Sequence, residues 1–128
     1  MFIQQIHHIA IICSNYEVSK HFYVEVLGCS IIQETFRPER NSYKLDLLVG
    51  DRQQIELFSF PTPPARPTQP EACGLRHLAF AVDDLDAAVR YLKDSAVDVE
   101  DIRIDSLTQK RFTFFRDPDD LPLELYES

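Results

Sequence analysis

The sequence predicts an α+β protein made of two βαβββ modules, and three observations predict it. Ile6-His7-His8-Ile9-Ala10-Ile11-Ile12-Cys13 returns as Leu75-Arg76-His77-Leu78-Ala79-Phe80-Ala81-Val82, 69 residues later (8 to 77). Ile55-Glu56-Leu57-Phe58 returns as Leu123-Glu124-Leu125-Tyr126, 68 residues later (56 to 124). Between these landmarks both copies run through one helical period and then three strand-like stretches. Self-similarity at a fixed spacing means one supersecondary unit written twice. Each copy places a His near its start and a Glu near its end.

Ile6–Cys13 alternates and is rich in β-branched residues, which predicts a strand. Ser14 and Glu17 form an S-x-x-E capping box that predicts the next helix start. Val18, Phe22 and Val26, with Leu27 beside them, give that helix an apolar stripe. Gly28 ends it, because a residue without Cβ suits the left-handed C-terminal position. Strands are predicted over Ile31–Arg37, Tyr43–Val49 and Gln53–Phe60, with Gly50-Asp51 as the turn between the last two. Residues 61–73 hold five of the eight prolines and predict a stiff extended linker. In the second copy, Arg76–Val82 is the strand, and Asp83 is the N-cap with Asp86 beneath it. Leu85, Ala88, Val89 and Leu92 make the helix stripe. Val97–Ile104, Lys110–Phe115 and Leu121–Tyr126 are the closing strands, and Asp117-Pro118-Asp119-Asp120 is a turn. Module one is thus 4–60, the linker 61–73 and module two 74–127. An open sheet face makes neither module stable alone, so 1–128 is read as one domain.

The 128 residues suffice for a sizeable core, and 45% hydrophobic with 27% charged residues is a globular composition. A formal charge of −8 argues against a nucleic-acid partner, which needs a basic face. No apolar run is long enough to span a bilayer, and no signal-peptide pattern opens the chain. Cys13, Cys29 and Cys73 contain no CxxC and no even framework, which fits a reducing, cytoplasmic setting.

Strand parity sorts the side chains into faces. His8 shares one with Ala10 and Ile12, and His77 shares one with Ala79 and Ala81. Ile9, Ile11 and Cys13, like Leu78, Phe80 and Val82, form the bulky faces that pack under the helices. Glu56 and Glu124 sit between large hydrophobes on their strands, where an unpaired carboxylate is costly. Two imidazoles and two carboxylates related by the repeat make an N2O2 set. His8, Glu56, His77 and Glu124 are therefore the candidate metal ligands, for Ni2+ or Zn2+ first, then Co2+, Fe2+ or Mn2+, rather than Ca2+. His7 and His21 lack a repeated His, since Arg76 and Arg90 stand at the matching places. Lys110-Arg111 reads equally as a solvated hairpin or an anion clamp.

On these residues the chain resembles the vicinal oxygen chelate superfamily. The match rests on His-His-Ile-Ala-Ile at 7–11, Phe22-Tyr23 with Leu27-Gly28, Arg76-His77-Leu78-Ala79-Phe80, and Asp117-Pro118-Asp119 with Leu123-Glu124-Leu125. It covers nearly the whole chain. The resemblance implies two βαβββ modules pairing into a cupped eight-stranded mixed sheet around a divalent metal. The His/Glu/His/Glu set is most similar to bacterial glyoxalase I. That implies a lactoylglutathione lyase-like enzyme, with Glu124 doubling as the catalytic base that moves a proton between adjacent carbons of a hemithioacetal or α-hydroxycarbonyl. It also implies a homodimer whose modules pair between chains. Ile12 stands where glyoxalase I has an Arg that meets glutathione, and Asp120 where the family's turn has Gly. A non-haem iron dioxygenase, a metal-dependent thiol transferase and a non-catalytic ligand-sequestering module are the alternatives.

Overall fold

In the computed structural model, which describes residues 1–128, the first strand, β1 (Ile9–Cys13), buries Ile11 and Cys13 and exposes Ala10 and Ile12. That is the alternation a pleated strand imposes. The strand starts at Ile9 rather than Ile6, because its parallel partner first pairs at Ile9↔Ile55. Ile6 lies outside the ladder and is exposed.

Helix α1 (Tyr16–His21) is capped by Asn15, whose Oδ1 accepts from the Val18 N–H at 3.2 Å. Ser14 is not the cap: the chain needs one more residue than the capping-box reading allowed to turn from strand into helix, and Asn caps as well as Ser. The buried stripe is Tyr16, Ser19, Phe22 and Tyr23, whereas Val18 is exposed. Two stripes satisfied the helical period, and the aromatic one buries more surface. Tyr16 stacks on Tyr43 at 4.4 Å and donates to Glu34. A π-helical turn, Phe22–Val26, finishes the helix. Gly28, at φ +79°, lets Leu27 N–H reach Phe22 O and Cys29 N–H reach Tyr23 O, which is the predicted left-handed termination.

Strands β2 (Ser30–Arg37), β3 (Ser42–Val49) and β4 (Gln53–Ser59) follow, close to their predicted bounds. They form a four-stranded mixed sheet in the order β1-β4-β3-β2, with only β1–β4 parallel. Leu45, Leu47, Leu57 and Tyr23 are fully buried at its core.

The second copy repeats this plan. β5 (Leu78–Val82) begins opposite Leu123. That start repeats the Ile9↔Ile55 start of β1, 69 residues earlier (9 to 78). Helix α2 (Leu85–Asp94) is capped by Asp84, which accepts from Ala87 N–H at 3.0 Å. Asp83, the predicted cap, instead accepts from the Ser128 hydroxyl. Both caps thus lie one residue beyond their predicted places and keep the spacing of 69 (15 to 84). Leu85, Val89 and Leu92 are buried as the stripe predicts.

The strand expected over Val97–Ile104 is reduced to an isolated bridge at Val99 and a two-residue β6 (Arg103–Ile104). Val99 pairs with Phe115 and Arg103 with Phe112, so the register slips by one residue between them. A bulge interrupts the ladder there. Module one has its own slip between Ile31 and Gln33. β7 (Arg111–Arg116) and β8 (Pro122–Glu127) complete a second mixed sheet, β5-β8-β7-β6, with β5–β8 parallel. Leu85, Leu123 and Thr113 are fully buried there. In the turn before β8, Asp117 Oδ1 accepts from Asp119 and Leu121 N–H groups, and Asp120 takes φ +67°. Asp enters the left-handed region more readily than most residues, which lets the turn form with Asp120 where the resemblance pointed to Gly.

The chain forms two compact units, Met1–Ala65 and Arg66–Ser128, each holding one sheet. The linker is not an extended spacer throughout. From Arg66 onward it belongs to the second unit, where the Arg66 guanidinium donates to Leu75 O and Arg76 O and the Thr68 hydroxyl donates to Asp120 O. Residues 68–71 form a turn. No helix is long and apolar enough to cross a membrane.

Candidate metal centre

Each unit brings its predicted His and Glu together. In the first, His8 precedes β1 and Glu56 lies in the middle of β4, directly across from Ala10. His8 Nε2 stands 3.5 Å from Glu56 Oε1. In the second, His77 precedes β5, Ala79 lies across from Glu124, and His77 Nε2 stands 3.3 Å from Glu124 Oε1. Neither His lies within its strand, contrary to the sequence reading. The expectation that each His meets its Glu still holds, because both rings reach the carboxylate two residues along the partner strand. Both carboxylates are nearly covered and both imidazoles are partly open, with side-chain exposures of 11% and 12% against 39% and 29%. Each pair therefore offers its donors to space beyond the sheet.

The rings are oriented differently. His8 Nδ1 lies 2.9 Å from His7 Nδ1, so the neighbouring imidazole turns the Nε2 edge toward Glu56. The sequence reading gave His7 no part in the site, and the structure places its ring against that of His8. His77 packs edge-on against Phe114, with ring centroids 5.1 Å apart, and its buried Nδ1 has no partner.

The surroundings of the two carboxylates also differ. Across the β3–β4 ladder Glu56 faces Asp46, and Lys44 lies 3.8 Å from Glu56 and 3.1 Å from Asp46. The ammonium balances two carboxylates that would otherwise repel on one face. In the β7–β8 ladder the matching places hold Phe114 and Phe112. Glu124 therefore has one ring-walled side and no competing cation there. The sequence did carry a signal for Lys44 and Asp46: they are the polar alternates within a strand of Leu and Tyr. Phe58 and Tyr126 stand two residues beyond the two Glu residues, on the same faces of β4 and β8. The Arg37 guanidinium lies over Phe58 at 4.8 Å, and the Tyr126 hydroxyl donates to Asp105 and shares a hydrogen bond with Thr108.

Other candidates resolve simply. Arg111 is engaged by Asp86 and Glu127, both at 2.9 Å, and Lys110 donates to Ser128 O, so this run serves the fold. Cys13 and Cys29 are buried and Cys73 is exposed, and no disulfide joins them. Burial pushes the Cys29 thiol up from its ordinary value.

The donors fit a divalent ion by type and by spacing. Adjacent ligands on an ion with bonds of about 2.1 Å stand roughly 3.0 to 3.4 Å apart for square or tetrahedral angles; the His77–Glu124 separation of 3.3 Å falls in that range and the His8–Glu56 separation of 3.5 Å lies just beyond it. Within this chain the donors gather as two pairs, with no group of three or more His, Cys, Asp or Glu residues placed to hold an ion.

This chain is 64% identical over 127 residues to the uncharacterized protein YwkD of Bacillus subtilis (strain 168), covering 99% of each. It is 60% identical over 125 residues to the uncharacterized protein YaeR of Escherichia coli (strain K12), covering 98% of this chain and 97% of the other. Among solved structures, the glyoxalase family protein from Enterococcus faecalis is similar at TM-score 0.92 and 50% identity, over 99% of this chain and 100% of that one. Together with the two sheets and the matched His/Glu pairs, a family match over residues 5–125 establishes that the chain belongs to the Glyoxalase/Bleomycin resistance protein/Dioxygenase superfamily.

Proposed function

We propose that the protein is a metal-dependent lyase or isomerase of the glyoxalase type, acting on a small substrate with two vicinal oxygens. The observation that carries this reading is the repetition of one pair: a half-open imidazole 3.3 to 3.5 Å from a nearly buried carboxylate, beside an alanine, in both units. His8, Glu56, His77 and Glu124 would hold one divalent ion, Ni2+ or Zn2+ ahead of Co2+, Fe2+ or Mn2+. A bound ion of this kind supplies Lewis-acid polarisation of the substrate oxygens. Joining the two pairs in one site is part of the proposal, and we assign His8 and Glu56 to one chain of a cytoplasmic homodimer and His77 and Glu124 to the other.

The chain's own residues divide the remaining work. Glu124 accepts the proton from the substrate carbon and returns it to the adjacent one, because it has no cation beside it comparable to Lys44 beside Glu56. Ala10 and Ala79 leave space over the carboxylates for a compact substrate. Phe58, Phe114 and Tyr126 keep water from the faces on which the Glu residues stand. Ile12 is exposed and apolar, and it offers nothing to a glutathione carboxylate. Methylglyoxal–glutathione hemithioacetal is therefore expected to be a poor substrate.

The test is the metal content of protein purified without chelator, compared with the His8→Ala, His77→Ala double variant. About one ion per chain is expected in the parent and essentially none in the variant; equal content in both would refute the site. Glu124→Gln should keep the fold and lose metal-dependent proton exchange by a factor on the order of 10² or more, as when a general base is removed.

A further inference from the structure

The second unit contains a cavity of ≈ 340 Å³ that opens beside His77 and is lined by four arginines, Arg66, Arg76, Arg103 and Arg116. Two carboxylates, Glu71 and Glu100, also line it and Asp120 pairs with Arg116, leaving a formal surplus of one positive charge. The whole chain carries −8. A positive hollow in an acidic protein focuses potential toward anions. Its volume lies at the small end of ligand pockets.

The four arginines are not equivalent. Arg66 spends its guanidinium on the Thr68 hydroxyl and the carbonyls of Leu75 and Arg76, so it fixes the wall of the cavity. The other three keep spare donors. Arg76 meets only Glu71, at 3.6 Å; Arg103 meets Glu100 at 3.3 Å; Arg116 donates through one nitrogen to Asp120 at 2.8 Å. A guanidinium has five N–H groups in a fork that matches a carboxylate or phosphate. Arg103 is also held in place, lying over Phe112 at 5.1 Å and Phe114 at 5.6 Å. Phe114 in turn contacts the His77 ring. One aromatic side chain therefore separates the basic wall from the imidazole.

The internal repeat offers an independent observation. Arg103 stands opposite Phe112 in β6–β7, and the matching place opposite Lys44 in β2–β3 holds Thr35. Arg116 pairs with Pro122, and the matching residue, paired with Gln54, is Leu48. Arg103 and Arg116 thus have no basic counterpart at the matching places of the first module, whose own cations, Arg37 and Lys44, stand elsewhere in the repeat.

We propose that this cavity is the subsite for a compact oxyanion carried by the substrate, with Arg103 and Arg116 as its main donors and Arg76 at its rim. This rests on the metal-centre reading for its place in catalysis and narrows the substrate class to small vicinal-oxygen compounds bearing a carboxylate or phosphate.

The experiment is calorimetric titration of chelator-treated protein with inorganic phosphate and, separately, with malonate. Binding in the millimolar range is expected for at least one, and the tighter of the two tells which oxyanion the wall prefers. Arg103→Gln with Arg116→Gln should weaken it about tenfold or more, while Arg103→Lys, which keeps the charge and loses the fork, should give a smaller loss. Arg90→Gln, remote on α2, should bind as the parent does. Unchanged affinity in the folded double variant, or no binding of either anion at tens of millimolar, overturns the subsite. Elemental analysis of the same protein, purified without chelator and sampled before the chelator treatment, separates the two ideas. Metal retained without anion binding removes the subsite alone, and arginine-dependent anion binding without metal removes the metal centre alone.

Discussion

Ala79 stands directly across from Glu124 in the parallel β5–β8 pair, just as Ala10 stands across from Glu56 in β1–β4. On that side each carboxylate is bordered by this methyl group and by the imidazole two residues earlier, and both alanines are exposed. Ala79→Leu should therefore leave stability within about 0.5 kcal/mol, as at other exposed positions, while closing the space above Glu124. Metal content should hold and substrate or inhibitor affinity should fall. An unchanged affinity would show that ligands do not approach over Ala79.

The assignment of each metal site to two chains is open to complementation. His8→Ala and His77→Ala proteins, each inactive alone, should regain about a quarter of the parent's metal sites when unfolded and refolded together. Random pairing makes half of the dimers hybrids, and one of the two sites in each hybrid is intact, as closed two-fold symmetry requires. Sites built within one chain would give no recovery.

Asn15 and Asp84 cap the two helices through a single side-chain oxygen each. Asp84→Ala should cost about 1 kcal/mol in denaturant unfolding. Asp83→Ala should not reproduce a cap loss, since Asp83 serves Ser128 instead. Equal losses at both positions would return the cap to Asp83.

Arg111 ties α2 to β8 through Asp86 and Glu127, and its hydrogen bonds hold both carboxyls below their ordinary values of 3.8 and 4.5. A depressed carboxyl contributes stability that is complete above its unfolded value and is lost as pH falls through the folded one. The Tm deficit of Arg111→Met should therefore be constant near neutrality and shrink below about pH 4. A deficit independent of pH down to 2 would mean that packing of the arginine stem dominates.

Much of this was legible in the chain because the duplication doubles every signal. A lone His8 before a strand says little, but His77 at the same place in a second copy makes the pair informative, and Glu56 with Glu124 does likewise. Element ends were harder. Ser14 and Asp83 are good caps in isolation, yet one extra residue of turn hands the role to Asn15 and Asp84. Val18 satisfied the helical period, but Tyr16 won the buried face by stacking on Tyr43. The basic wall was not visible as a site, because Arg66, Arg76, Arg103 and Arg116 are scattered along the sequence and meet only in the folded second unit.

The slip in register after Ile31 has its counterpart before Arg103, on the outer strand of each sheet. A foreign strand approaching β2 or β6 meets amides and carbonyls that fall out of step partway along, so it cannot extend the sheet without breaking bonds of its own. The opposite margins, β1 and β5, carry no such fault. Each sheet is thereby closed to growth on one side by its backbone alone, whatever side chains later come to occupy that strand.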